Sequence, residues 1–355
     1  MKTRALHLLL ALGAAAPALA ADAPIRPKVV VVTMFENGAD TGDTPGELQL
    51  WVEREKLDRV IPLPAAYHDV RANADGSVIA IVTGVGNTNA AASVMALGLD
   101  PRFDLRRSYW LVAGIAGIDP ADGSIGSAAW ARFVVEGDLA HEIDAREIPA
   151  GWPTGYVPLR KSEPYEQPRL PEDRLADTVF ALEPGLVEWA YQLTKDTPLA
   201  DNEQMTQRRG FYTDLPAARR PPFVLKGDNL AASTYWHGRL LNQWANDWVA
   251  YHTGGRGNYV TTAMEDTGTL RALANLAKAG KADATRALVL RTASNFDMQW
   301  PGGSAAESLG GEKLGLYSAY LPSLEAAHAV GRRVVHALVA DWDRYEHEPP
   351  RAAAP

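Results

Sequence analysis

The chain has 355 residues, 46% of them from the AVILMFWYC set and 22% charged, a balance that excludes a disordered or fibrous protein and allows a large buried core. Its formal net charge of −8 lacks the basic excess needed to bind along a nucleic-acid backbone, so no nucleic-acid polymer is expected as a partner. With no cysteine there is no disulfide, thiol nucleophile or cysteine metal ligand.

Lys2 and Arg4, an apolar stretch over residues 5–16 and Ala18-Leu19-Ala20 after Pro17 predict a signal peptide over residues 1–20. Cleavage near Ala20 would leave a periplasmic or secreted protein, since the stretch is too short to span a bilayer. The runs 28–33, 77–83 and 108–113 read as buried strands, with a helix over 89–98 between the last two. Strand, helix, strand at this spacing predicts an α/β layered fold. Residues 128–135 follow a Gly/Asp/Ser turn and read as a hairpin or meander. Eleven of the 24 prolines then fall between Pro149 and Pro222, with one helical stretch over 179–193. That segment, 149–222, reads as an insertion or cap in a domain built from 21–148 and 223–345. The regular pattern resumes with strands at 223–226, 259–263 and 287–292 and helices at 234–252, 265–279 and 323–342.

Familiar motifs fail in detail. Asn89 stands where a dinucleotide fingerprint beginning at Gly84 has its third glycine, and no acid is placed for a ribose. Asp122 occupies the leading-glycine position of a nucleophile elbow around Ser124. Ala145 replaces the second histidine of a zinc motif at His141-Glu142, and the eight histidines form no cluster, so no metal or other cofactor is expected.

Three separated blocks remain. The first is Thr83-Gly84-Val85-Gly86 with Asn89-Ala90, then Leu111-Val112-Ala113-Gly114-Ile115-Ala116-Gly117. The second is Asp122-Gly123-Ser124-Ile125-Gly126, then the segment from Glu136 to Asp144; the third is Lys226-Gly227-Asp228, Met264-Glu265 and Arg291-Thr292-Ala293-Ser294-Asn295. In this order and spacing they resemble the nucleoside phosphorylase and nucleosidase superfamily, which implies a three-layer α/β fold with a twisted mixed central β-sheet. The leader, Met34-Phe35-Glu36, the long insertion and Asn295-Phe296-Asp297 are similar to the group called purine nucleoside permeases. That resemblance implies purine nucleoside handling linked to uptake. Inosine, guanosine or adenosine would be the ligand, a membrane transport component a partner, and a homo-oligomer the assembly.

The resemblance also implies site residues. Glu265 would accept both hydroxyls of the ribose diol, with Met264 under the apolar sugar face. The other reading of Glu265 is a glutamate favoured by a helix N-terminus. Asn295 falls where the superfamily reaches purine N7, and its amide offers donor and acceptor together, suited to N7 and O6 of a 6-oxopurine; the other reading is a turn asparagine. Cleaving an N-glycosidic bond builds positive charge on the sugar and negative charge on the purine. Asparagine only hydrogen-bonds there, so Asp297 is a substitute candidate for the proton donor. The superfamily's phosphate cluster corresponds to Val112, Gly114 and Ile115, which bring no charge to a dianion. Gly114 and Ile115 complete the substrate-binding set, and phosphorolysis would need Arg208, Arg209, Arg219 or Arg220 from the insertion. In the hydrolytic branch an acid near the first strand activates water; Glu36 is the candidate, with Asp40, Asp43 and Glu47 as alternatives. Tyr235, Trp236 and Trp300 are base-stacking candidates. Three functions follow: an exported binding protein serving uptake, a purine nucleosidase, or a phosphorylase.

Overall fold

The computed structural model describes residues 23–167, 178–313 and 318–352, so the expected leader lies outside the described residues. Strand β1 (Val29–Thr33) has no exposed side chain, as a β-branched run covered on both faces should. The chain returns through helix α1 (Gln49–Glu55) and the short antiparallel pair β2 (Arg59–Ile61) and β3 (Val70–Ala72). It then enters β4 (Val78–Val82), parallel to β1. Helix α2 (Asn87–Leu99) leads to β5 (Tyr109–Ile118), parallel to β1 on its other side.

Residues 128–135 are not a hairpin. They form two strands that do not pair with each other, β6 (Ala128–Trp130) and β7 (Phe133–Glu136). The Asp228 carboxylate parts them, its Oδ1 accepting the N–H groups of Arg132 (3.1 Å) and Phe133 (2.7 Å). A separate two-stranded sheet follows, β8 (Ala140–Glu142) with β9 (Tyr156–Pro158). The helix expected over 179–193 is divided: Val179–Ala181 is a strand, β10, on the edge of β7, and α3 (Pro184–Thr194) starts at a proline whose fixed φ suits a first helical turn. Helix α4 (Glu203–Gly210) gave no periodic signal because only Met205 and Arg209 are buried; the Asn202 side chain caps it by accepting the Met205 N–H (2.8 Å).

Strands β11 (Val224–Lys226) and β12 (Asp228–Ala231) precede α5 (Arg239–Thr253), which begins five residues later than its pattern suggested, after Gly238 at φ 125°. Then come β13 (Tyr259–Ala263), α6 (Asp266–Lys278), β14 (Ala287–Phe296), α7 (Ala305–Lys313), α8 (Tyr320–Ala340) and α9 (Trp342–Tyr345). Among the described residues twelve strands form one sheet, in the order β10-β7-β12-β13-β5-β1-β4-β3-β2, with β14 on β5 and β6, and β11 on β6. Both β5 and β14 outrun their expected ends because they pair in parallel along nearly their whole length. The antiparallel β13–β5 pair beside these parallel ones makes the sheet mixed. Helix α8 packs on β14, β5 and β6, with α1 and α3 against it; α2 and α6 pack on each other, and α5 lies on β12 and β13.

Candidate functional site

The carboxyl ends of β1, β5 and β14 meet the exit of β13 around a cavity of about 680 Å³. Open α/β sheets bind ligands at such a crevice. Met34 and Phe35 come from the exit of β1, residues 115–117 from β5, residues 262–265 from the end of β13, and Arg291, Ser294 and Asn295 from β14. Tyr320, Leu321 and Pro322 of α8 line it too, and Asn202 and Gln204 bring the proline-rich segment to its rim.

One end is charged and almost fully buried. The Glu47 carboxylate bridges two strand ends: Oε2 accepts the Met34 N–H and Oε1 the Ile115 N–H, both at 2.7 Å. Glu265 accepts N–H groups from Gly86 (3.3 Å) and Met264 (3.2 Å) and a 3.2 Å bond from Arg291 Nη2. It caps no helix with its side chain, although α6 starts one residue later. Arg291 is held further by Asp266, at 3.1 Å from Nε and 2.9 Å from Nη2, and its Nη1 donates to the Ile115 carbonyl (3.0 Å). Among the described residues Arg291 is the one cationic side chain lining the cavity, and its guanidinium is paired with Glu265 and Asp266. Loss of solvation is the main force on both glutamates. It outweighs the attraction of Arg291, pushing Glu47 up to about 8 and Glu265 above its ordinary value.

Gly114 does not line this end, yet it permits it. A Cβ there would run into the Met34 methyl and come 2.6 Å from Glu47 Oε1 and 2.7 Å from Arg291 Nη1. Ile115 contributes through its backbone, donating to Glu47 and accepting from Arg291.

The opposite end is neutral. Asn295 Nδ2 donates to the Phe296 carbonyl (3.0 Å), and its Oδ1 accepts the Ser294 hydroxyl (2.9 Å). Gly117, Ala116 and Thr262 complete this wall, and Tyr235, 47% exposed, stands at the mouth.

The structure separates other expected residues from the cavity. Glu36 does not line it: its carboxylate accepts the N–H groups of Leu48 (2.8 Å), Gln49 (2.7 Å), Asn37 (2.9 Å) and Gly46, anchoring the start of α1. Asp297 is fully buried behind the wall and bonded by Tyr259 and Asn242. Trp236 packs between Trp244 and Tyr259, with ring centroids 5.9 and 6.2 Å away. Trp300 lies against Phe211 and under the Arg208 guanidinium. None of Arg208, Arg209, Arg219 and Arg220 reaches the cavity lining; Arg209, for one, is bidentate to Asp201 (2.7 and 2.8 Å). Sequence reasoning named Glu47 only as an alternative and gave Arg291 and Ser294 no role, although both stand in the third block.

A family model described as "Purine nucleoside permease (NUP)" matches residues 26–350. A probable purine nucleoside permease of Schizosaccharomyces pombe is 33% identical over 285 residues, 77% of this chain and 78% of that protein. A purine nucleoside permease of Candida albicans is 30% identical over 326 residues, 90% and 76% of the two chains. Among solved structures, a 5′-methylthioadenosine/S-adenosylhomocysteine nucleosidase from Helicobacter pylori superposes with a TM-score of 0.50 at 13% identity, covering 89% of this chain and 98% of that one. Futalosine hydrolase of Helicobacter pylori gives 0.50 at 13%, covering 86% and 97%. At such identity the likeness concerns the fold, which is the mixed-sheet nucleoside phosphorylase and nucleosidase type that the sequence blocks implied.

Proposed function

This chain belongs to the purine nucleoside permease family, and from that premise and the geometry of the cavity we propose that it binds a purine nucleoside and hydrolyses its N-ribosidic bond. The observation that carries the reading is Glu47, a buried acid pushed up to about 8 and fixed by two strand-end N–H groups beside Glu265. Glu265 takes the ribose diol and Met264 the sugar face, which sets C1′ toward Glu47 and the purine toward Asn295. Ionised Glu47 accepts a proton from water as the water oxygen bonds to C1′. The C1′–N9 bond breaks, its electron pair leaves with the purine, and the base takes a proton from solvent. The carboxylate of Glu265, and that of Glu47 until it takes the proton, favour the oxocarbenium-like sugar electrostatically. They also disfavour a phosphate dianion, because the one cationic side chain lining the cavity among the described residues, Arg291, is already paired with Glu265 and Asp266. Hydrolysis is therefore preferred to phosphorolysis.

The test is chromatography of bases released from inosine, guanosine and adenosine, with and without phosphate, beside Glu47→Gln. Release without phosphate that is lost in the variant is expected. Strict phosphate dependence, or unchanged release by the variant, would overturn the assignment.

A second reading, binding without turnover, is favoured by the Asn295 end, where the amide carries no ionisable proton and is already bonded to Ser294 and Phe296. In it the chain is an exported receptor, alone or as a homo-oligomer, that passes nucleoside to a membrane component. No helix among the described residues is long and apolar enough to cross a membrane. Calorimetric binding of a nucleoside with no base released would favour this reading.

A further inference from the structure

Ser294 and Asn295 are neighbours in β14, and yet both line the cavity. Side chains alternate across a regular strand, but β14 slips register on β5 between Ala293 and Asn295, and a bulge at that point re-aims a side chain. The two residues then bond each other. Asn295 Oδ1 accepts the Ser294 hydroxyl at 2.9 Å, nearer than the Ala116 carbonyl, which stands 3.2 Å from the same hydroxyl. On the other side Asn295 Nδ2 donates to the Phe296 carbonyl at 3.0 Å.

These bonds fix which way the amide faces. Exchanging its oxygen and nitrogen would set an oxygen against the Phe296 carbonyl, two acceptors with no hydrogen between them. The surroundings are tight: Asn295 is 5% exposed, Phe296 is fully buried, and a Cβ added at Gly117 would come 3.3 Å from Asn295 Nδ2. Rotating the amide away would cost the Phe296 carbonyl this bond in a buried setting. An asparagine amide has two N–H groups and two oxygen lone pairs, and here one of each is taken by a chain neighbour. What remains for the cavity is one donor and one acceptor.

Resting on the reading of the Asn295 end as the purine subsite, we propose that Asn295, held by Ser294 and Phe296, determines specificity and that the cavity selects 6-aminopurine nucleosides over 6-oxopurine ones. Along its N7 edge a 6-aminopurine presents the complement of the remaining amide groups, an acceptor at N7 and a donor on the 6-amino group, which one amide takes as a bidentate pair. A 6-oxopurine presents two acceptors, N7 and O6. Two free N–H groups would serve it, but Asn295 has one left, and its remaining lone pair would face O6. The match to a 6-oxopurine expected from the sequence therefore reverses once the two local bonds are counted. Other polar groups here do not choose between the bases, because the Thr262 hydroxyl and the Gln204 amide at the rim each offer a donor and an acceptor.

The experiment offers the full-length protein adenosine, inosine, guanosine and purine riboside, which has no 6-substituent. Chromatography of the bases released from mixtures reads the ratio of kcat/KM, and equilibrium dialysis reads the ratio of Kd where no base is released. Adenosine is expected to be favoured over inosine and guanosine by about tenfold or more, the discrimination of one good bidentate pair, with purine riboside between them. In Asn295→Ala the preference should shrink to within about threefold, adenosine losing more than inosine. The wild-type series decides the selectivity without any variant, and the variant decides the residue. Equal or better use of inosine or guanosine by wild type overturns the proposal, as does an adenosine preference that survives in Asn295→Ala. Selective binding of adenosine with no base released upholds it and overturns hydrolysis instead. If none of the four nucleosides binds, the reading of the cavity and the selectivity built on it fall together.

Discussion

The two ends of the cavity solve different problems with different chemistry. At the Glu47 end three acidic side chains, Glu47, Glu265 and Asp266, gather near one guanidinium, which bonds Glu265 and Asp266 directly. At the Asn295 end the partners are a hydroxyl, an amide, a backbone carbonyl and a glycine, and the nearest acid stands behind the wall rather than in it. The charged end is where a buried site strengthens electrostatics enough to activate water or stabilise a cationic sugar. The neutral end can orient a flat heterocycle but gives it no proton. In the proposed hydrolysis, this contrast would put the driving force for bond cleavage at the charged end and leave the neutral end to confer geometry.

That comparison can be broken most sharply at Glu47. Glu47→Gln is expected to lower phosphate-independent base release by ~10²–10⁴-fold while leaving inosine affinity nearly unchanged, read as a kcat loss with constant KM. Because the ionised form is the base, wild-type kcat/KM should rise with pH toward an inflection near 8, and the variant should show none. Stability moves the other way. The folded Glu47 holds its proton up to about 8 whereas the unfolded one releases it near its ordinary value of 4.5, so its contribution is progressively lost as pH rises between those values. A Tm series over that range should fall less steeply in Glu47→Gln than in wild type.

Glu265→Ala removes the acceptor proposed for the diol, and a loss of ~10²-fold in inosine affinity is expected by calorimetry, with 2′,3′-dideoxyinosine losing little. Equal loss for both ligands would place the ribose elsewhere. At the neutral end Asn295→Ala should cost only about tenfold in affinity, one ordinary hydrogen bond's worth, and should not alter the pH profile. A larger loss than at Glu265 would invert the comparison. The smallest effect is expected at Trp300, which packs on Phe211 and Arg208 outside the cavity: Trp300→Phe should change affinity less than about twofold.

Much of the frame was readable in the chain. The β-branched runs of β1 and β4 and the length of β13 followed from residue type alone, because a strand buried on both faces leaves little freedom in composition. Glu265 and Asn295 were legible through their blocks, since each sits within a residue or two of a strand end whose direction fixes where it points. Glu47 was ambiguous for the converse reason. It follows a thirteen-residue loop after Thr33, and spacing along a loop says nothing about which of Glu36, Asp40, Asp43 and Glu47 turns inward. Glu36 was the natural choice by proximity to the strand, but nearness in sequence placed it where four N–H groups needed an acceptor. The tryptophans misled because an aromatic beside a motif reads the same whether it faces a ligand or another ring.

The sequence by itself determined the alternation of strands and helices, the family and five of the residues that line the cavity, Ile115, Tyr235, Met264, Glu265 and Asn295, because these depend on local pattern and on the order of short blocks. Only the tertiary structure decided which carboxylates are buried together, which arginine is spent between them, and which acid stands behind the wall. Those outcomes depend on hydrogen-bond partners brought from residues far apart, such as Ile115 for Glu47 and Gly86 for Glu265, and on desolvation that exists only once the sheet has closed around them.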